Sequence, residues 1–446
     1  MRLVGLETAS RDGRVRLSGW VERRGRPGTV EVYFEYGEDL RPFVRESADA
    51  FFPVLLVASM LYAEPLRLDA PVSADLLRGA RELQAVFSQW YPEELSEVEV
   101  TAEEASPSRV DAGASASFFS LGVDSFYTLL KPANDAMLGY LIYVLGVEKP
   151  LSTYGRGQHE PVVRRVEQVA AATGKKTIIG WTNLRDVFPL DWSRHLHGAG
   201  LASVAHSLGR GLGAALVPST HPYRDMLPWG STPLTDRLWS SELVRIVHDG
   251  AEAARVDKIA GLLVDEPLAV QHLRVCTEND GGPDNCGRCS KCVRTMLTLQ
   301  LLGRLSSAPT FPPELPPDYA RRLRHDDEND VSFIRENLEL ARRVGADRRV
   351  VRTLERLVLA SEAEAYCEGR GFFPSLAGLL GWYAWTRNVL RLKEWYARSQ
   401  NPAVRFAWRR LKGAFTAQRR EPDADRSSPD AQRDAVAWSG QRARPS

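Results

Sequence analysis

The apolar positions divide the chain into a β-rich beginning, an alternating middle and a helical end. Val15, Leu17 and Val21, then Val30, Val32, Phe34 and Tyr36, alternate with polar residues on either side of Arg23-Arg24-Gly25-Arg26-Pro27-Gly28. That pattern predicts a hairpin. The apolar run 51–63 supplies core, and Leu76, Leu77, Ala80, Leu83, Val86, Phe87 and Trp90 share one face of a helix that Ser73 could cap. Beyond a linker at 103–113, strands and helices alternate. A strand ends at Ser117-Phe118-Phe119 and a helix resumes at 126–130; then come strand 140–147, helix 160–173, strand 176–182, helix 198–208 and a strand through Leu216 and Val217. This order predicts a doubly wound, mostly parallel α/β sheet, whose ligands gather outside the carboxyl ends of the strands. Past Gly303 the spacing is helical over 333–344, 351–366 and 372–399. The predicted division is an α+β accessory domain at 1–108, a sheet domain at 109–302, a helical domain at 303–420 and a disordered tail at 421–446.

A length of 446 residues, 43% of them hydrophobic, allows two or three domains with ample core. Lys and Arg number 58 against 57 Asp and Glu, and the net charge of +1 gives no global argument for nucleic acid or membrane binding. No apolar run reaches the roughly 18 residues of a membrane span, and none follows Met1 as a leader would, so a cytoplasmic protein is expected. One stretch departs from this neutrality. Residues 387–420 hold ten Lys or Arg against the single acid Glu394, with Trp395, Phe406 and Trp408 interleaved. The stretch reads either as a solvated helix face or as a surface for an anionic partner, membrane or nucleic acid.

Four of the five cysteines, Cys276, Cys286, Cys289 and Cys292, fall in one short segment, while Cys367 lies apart. Nine residues separate the first two and two separate each later pair. Four thiolates satisfy tetrahedral zinc, and Cys286-Gly287-Arg288-Cys289 is a knuckle whose glycine eases the turn around the ion. A full set of four ligands leaves no open position for catalysis, so such a zinc would be structural. An iron–sulfur cluster and disulfides remain as alternatives, the latter in an oxidising compartment for which the chain gives no other sign.

Between the strand ending at Phe119 and the helix resuming at Phe126 lies Ser120-Leu121-Gly122-Val123-Asp124-Ser125. Such a loop leaves backbone N–H groups free at a helix N-terminus, where the dipole favours an anion, and phosphate is the default ligand. Ser120 and Ser125 could add donors and Asp124 could hold magnesium. A capped helix after a buried strand is the plainer reading. Other sheet-end groups are candidates for a second substrate: Asn183 and Arg185 in one loop, and Ser231, Asp236 and Arg237 in the loop 229–237, whose Thr235 or Asp236 could cap an apolar helix. His195, His197, His248 and Lys258 are weaker signals.

The segment Ser-Leu-Gly-Val-Asp-Ser resembles the SGGxDS loop of the PP-loop ATP pyrophosphatases, with Leu121 where that family has glycine. A Cβ at this point is expected to crowd a phosphate or resist a positive φ. Together with Cys286-Gly287-Arg288-Cys289-Ser290-Lys291-Cys292, which fits CGxCxKC, residues 114–300 look like the 7-cyano-7-deazaguanine synthases of queuosine-precursor synthesis and their relatives. The resemblance implies ATP and Mg2+ at Ser120, Leu121, Gly122, Val123, Asp124 and Ser125, structural Zn2+ at the four cysteines, and cleavage of ATP to AMP and pyrophosphate. An acceptor carboxylate or carbonyl would be adenylated and then attacked by a nitrogen nucleophile, with Asp124, Arg185 and Asp236 as the candidate catalytic residues. A regulatory nucleotide-binding protein and a tRNA-modifying PP-loop enzyme are the alternatives, and a homodimer is left open.

Overall fold

The computed structural model describes residues 1–105, 113–154, 159–279, 282, 284–323 and 328–368. The predicted helix 372–399, the basic stretch 387–420, the tail, the side chain of Cys367 and linker positions 106–112 lie outside them. Nearly all described residues belong to one unit, Met1–Ala365.

Ten strands form a single sheet in the order β12-β11-β8-β9-β10-β3-β2-β1-β4-β6. In chain order they are β1 (Arg2–Arg11), β2 (Arg14–Glu22), β3 (Thr29–Gly37), β4 (Leu66–Leu68), β6 (Val100–Thr101), β8 (Ala114–Phe118), β9 (Leu138–Leu145), β10 (Lys176–Thr182), β11 (Leu212–Pro218) and β12 (Arg245–Asp249); β5 (Val72–Ser73) and β7 (Glu104–Ala105) pair separately. The expected hairpin is β2 and β3, with Val15 opposite Tyr36, Leu17 opposite Phe34 and Val21 opposite Val30. β1 was not readable from apolar alternation, because Leu3 is its only fully buried residue.

The strands β12, β11, β8, β9 and β10 are parallel to one another. Their order runs 3-2-1-4-5 from β10 to β12, so the chain changes direction between β8 and β11, the place where sheets of this order carry a crevice at the carboxyl ends. Neighbouring residues of one strand serve two cores. Ile142 and Ile178 enter the cluster that includes the helices Phe52–Tyr62, Ala74–Trp90 and His197–Ser207, whereas Leu141 and Ile179 enter the one with Val123–Leu130, Glu160–Ala172 and Ser290–Leu301. A sheet covered on both faces demands apolar residues at successive positions, which is what β9 and β11 supply.

β10 pairs antiparallel with β3, which makes the first hundred residues and the parallel strands one continuous sheet. Asn183 closes that joint. Its Oδ1 accepts from the Tyr33 N–H at 2.9 Å and its Nδ2 donates to the Glu31 carbonyl at 2.8 Å, as a further ladder residue would. Ser73 stands before its helix, but its hydroxyl donates to Asp49 and caps nothing. The segment after the 229–237 loop is one short 3-10 turn, Asp236–Trp239, in place of the expected helix; Thr235 makes no cap and bonds Thr232. Helices Glu328–Arg343 and Arg348–Glu368 occupy the predicted C-terminal positions, with Val331, Ile334 and Leu338 packed against Val293 and Leu297.

Candidate functional site at the carboxyl ends of the parallel strands

The loop after β8 sits at the crevice between β8 and β11. Leu121 adopts φ of +64° with its side chain fully buried among Phe119, Val123 and Phe126. The expectation that a side chain would resist this conformation is corrected by that geometry. Burial of an isobutyl group more than offsets the roughly 1–2 kcal/mol that left-handed backbone costs an L-residue. The Leu121 carbonyl accepts from the Arg274 N–H at 2.8 Å, and Ser125 Oγ donates to the Gly122 carbonyl at 3.0 Å, so two bonds hold the turn. Ser125 therefore shapes the loop, while Ser120 is exposed at its mouth. Gly122 precedes the helix Val123–Leu130, whose first amides have no helical carbonyl to donate to.

Asp124 does not stand free. Arg255 Nη2 and Lys258 Nζ both bond its carboxylate, the latter at 3.0 Å, and Lys258 also donates to the Ser219 carbonyl at the end of β11 at 2.6 Å. Burial alone would raise the Asp124 carboxyl, but the two cations reverse that and hold it below its ordinary value. Lys258 is wholly buried. A third cation, Arg294, lies in the same cluster with its guanidinium 3.7 Å above the Phe333 ring; burial, helped by Arg255, lowers it to about 9. Glu336 of the helix Glu328–Arg343 enters from the other side. Its Oε2 accepts from the Val256 N–H at 3.3 Å, and burial lifts its carboxyl to about 7. His221 stacks on Phe333 with centroids 5.2 Å apart, and burial lowers it to about 4.

A second group gathers on the opposite face of the sheet. Asp236 is wholly buried, accepts from Ser231 Oγ at 2.7 Å and lies 2.7 Å from His248 Nδ1. His197, lowered to about 4 by burial, is close enough to feel Asp236, His248, Lys291 and Glu148. Arg185 donates to the Glu148 carbonyl at 2.9 Å and lies over Trp192, which in turn faces His197. Arg185, His197, Ser231, Asp236 and His248, all singled out in the sequence, thus gather here, Arg185 only through Trp192. Arg237 does not join them, since it pairs with Glu82 on the surface, and His195 faces Glu94 and Tyr91.

The four predicted cysteines come together with all Sγ atoms within 4.8 Å of one another, a grouping that can hold a metal such as zinc. Cys276 and Cys289 are 3.9 Å apart and Cys286 and Cys292 are 3.8 Å apart. Sulfurs bound tetrahedrally at about 2.3 Å from zinc stand about 3.8 Å apart, so the donor set fits the ion. Backbone N–H groups of Asn279 and Cys289 point at Cys276 Sγ (3.2 Å) and Cys286 Sγ (3.3 Å), as they do around thiolates, and Gly287 takes φ of +68° in the knuckle.

Sequence reading missed Arg255, Arg294 and Glu336. Arg255 and Lys258 stand three apart on one helix face, a spacing that could have paired them; nothing local marked Arg294 or Glu336. Against known proteins, no family model, curated protein or solved structure matches this chain. Among the described residues no helix is long and apolar enough to cross a membrane.

Proposed function

We propose that this chain is a PP-loop-type enzyme that binds ATP with magnesium at Ser120–Ser125 and breaks it into AMP and pyrophosphate, adenylating an acceptor carboxylate or carbonyl for attack by a nitrogen nucleophile. The observation that carries the reading is Leu121 at positive φ. The one residue that departs from the glycine pattern nevertheless holds the backbone in a glycine-type conformation, in the loop at the sheet's change of direction. Arg255, Lys258 and Arg294 beside that loop supply the positive charge that a departing pyrophosphate would need. Zinc is the metal we assign to the four cysteines, in a closed structural site. The second reading, a regulatory nucleotide-binding protein, draws on the pairing of Asp124: both its oxygens are already engaged by cations, and magnesium would have to displace one.

The test uses zinc-loaded full-length protein, magnesium, ATP labelled at the α phosphate, ammonium chloride and the small-molecule fraction of a cell extract. AMP with pyrophosphate, abolished in Asp124→Asn and Lys258→Met, is the expected result. ADP as product overturns the assignment, and bound but unconverted ATP selects the regulatory reading.

A further inference from the structure

Val217 of β11 pairs with His248 of β12, and Pro218 pairs with Asp249, at the carboxyl ends where the crevice lies. The two neighbours face opposite ways. Asp249 accepts from Thr128 at 2.8 Å and Lys131 at 2.7 Å, bracing the helix that carries Asp124. His248 turns to the other face and meets Asp236.

Asp236 Oδ2 lies 2.7 Å from His248 Nδ1 and also accepts from Ser231 Oγ. A carboxylate that accepts at this distance takes the proton on Nδ1, which in the neutral ring leaves the lone pair on Nε2. Nε2 is buried and has no partner among the described residues, and the same holds for Asp236 Oδ1 and Trp239 Nε1. A plain core pair would have these atoms satisfied. The room beside Oδ1 exists because residue 198 is glycine: a Cβ there would stand 2.5 Å from Oδ1 and 2.6 Å from the Gly230 carbonyl. A histidine fixed by a buried carboxylate through Nδ1, with Nε2 left unpartnered, has the build of a proton acceptor. The titratable groups that face it are Asp236, through Nδ1, and His197, which itself also feels Lys291 and Glu148.

We propose that His248 Nε2 takes the proton from the nitrogen nucleophile in the second half of the reaction, with Asp236 as its positioning residue; this rests on the adenylation reading. In that step the ammonia lone pair forms a C–N bond to the acyl carbon of the adenylate. The C–O bond to phosphate breaks, AMP leaves with the electron pair, and one N–H proton passes to Nε2 and on to water.

The test compares wild type, His248→Gln and Asp236→Asn, each checked for folding by its thermal melt, with the same ATP, magnesium and extract fraction. Exchange of labelled pyrophosphate into ATP reads the first half-reaction, and AMP release with ammonium chloride or with hydroxylamine, a stronger nucleophile, reads the second. Both variants are expected to keep exchange and to lose ammonia-dependent release by about 100-fold. Hydroxylamine should restore most of it, and His248→Gln should flatten the pH profile of the ammonia step. Equal loss of exchange and release, or unchanged release with ammonia, overturns the proton-acceptor role alone. No AMP from wild type with either nucleophile removes the adenylation reading, and this step with it. Nitrogen NMR of histidine-labelled wild-type protein adds a readout free of ATP: a bare Nε2 on His248 is expected, and a protonated one overturns the proposal.

Discussion

Leu121 offers a stability measurement whose outcome depends on one backbone angle. Its side chain is fully buried and its φ is +64°. Replacing it by alanine removes three buried carbons, a loss of about 3–5 kcal/mol by the behaviour of buried leucines, and glycine loses the Cβ as well, about 0.8 kcal/mol more. The two variants then differ in that one buried carbon and in their backbone freedom. At an ordinary position alanine is better than glycine by about 0.4–1 kcal/mol, because the unfolded glycine chain is freer. At residue 121 alanine keeps the left-handed strain of about 1–2 kcal/mol, and glycine sheds it. The strain therefore cancels the usual alanine advantage, about 1.2–1.8 kcal/mol once the buried Cβ is counted, and the two variants are expected within about 1 kcal/mol of each other. Urea midpoints at equal m-values decide it. Alanine outranking glycine by the usual margin would refute the positive φ, and with it the argument that the loop keeps a glycine-type shape without glycine. Because that shape is already present, Leu121→Gly should leave the affinity for magnesium ATP within about threefold of wild type; a difference of about 1.4 kcal/mol would be tenfold.

Asn183→Ala removes both bonds that join β10 to β3 and is expected to cost about 1–3 kcal/mol of stability in urea melts; an Asn183→Asp variant, which loses the donor and keeps the acceptor, should fall between. Burial lifts Glu336 to about 7 from 4.5, so between those values the unfolded chain binds fewer protons than the folded one and stability falls as pH rises. Glu336→Gln removes that fall, and should gain on wild type by about 1–3 kcal/mol at pH 8 and by nothing near pH 4, in melts across pH. His197 and His221 act with the opposite sign: each is lowered to about 4 from 6.5, so the unfolded chain binds more protons between those values and stability is lost as pH falls through them. His221→Gln should shallow that acid limb. Cys286→Ser is expected to abolish a bound-metal stoichiometry of about one per chain, measured by elemental analysis, and to lower the melting temperature.

Legibility followed the range of the forces involved. The hairpin of β2 and β3, the strand Lys176–Thr182 and the cysteine cluster were readable because alternation and short ligand spacing are local properties. β1 was hidden by its polar outer face, and β12 because five residues with one fully buried side chain make no pattern. The joint between β10 and β3 could not be read at all, since it pairs residues about 150 positions apart through the side chain of Asn183. In the candidate site the loop itself was legible, but the charges that face it were not. Arg255, Arg294 and Glu336 come from three helices far apart in sequence, and each taken alone reads as a surface residue. Asp236 was singled out from a hydroxyl-rich loop, whereas its bond to His248 depends on the strand register that brings β12 beside β11.

The cysteine cluster and the loop Ser120–Ser125 are one mechanical unit, and that is why a closed metal site matters to residues that do not touch its ion. The segment entering the cluster gives its Arg274 N–H to the Leu121 carbonyl two residues before Cys276. Asn285 then fixes this segment from inside the cluster, accepting from the Val275 and Cys276 N–H groups at 2.8 and 3.1 Å and donating to the Leu273 carbonyl at 2.9 Å. On leaving, the chain passes through Cys289 into the helix Ser290–Leu301, whose Arg294 lies with Arg255 and Asp124. A metal held by the four sulfurs would thus set the carbonyl that locks residue 121 and the guanidinium that faces Asp124 at the same time. Without it, Arg274 and Arg294 would be tied together by a loop of about twenty residues and the Asn285 bonds, which leave the stretch from Cys286 to Cys292 without a fixed closure. Loss of metal should therefore loosen the turn at Leu121 and the cation cluster together, although neither touches the ion.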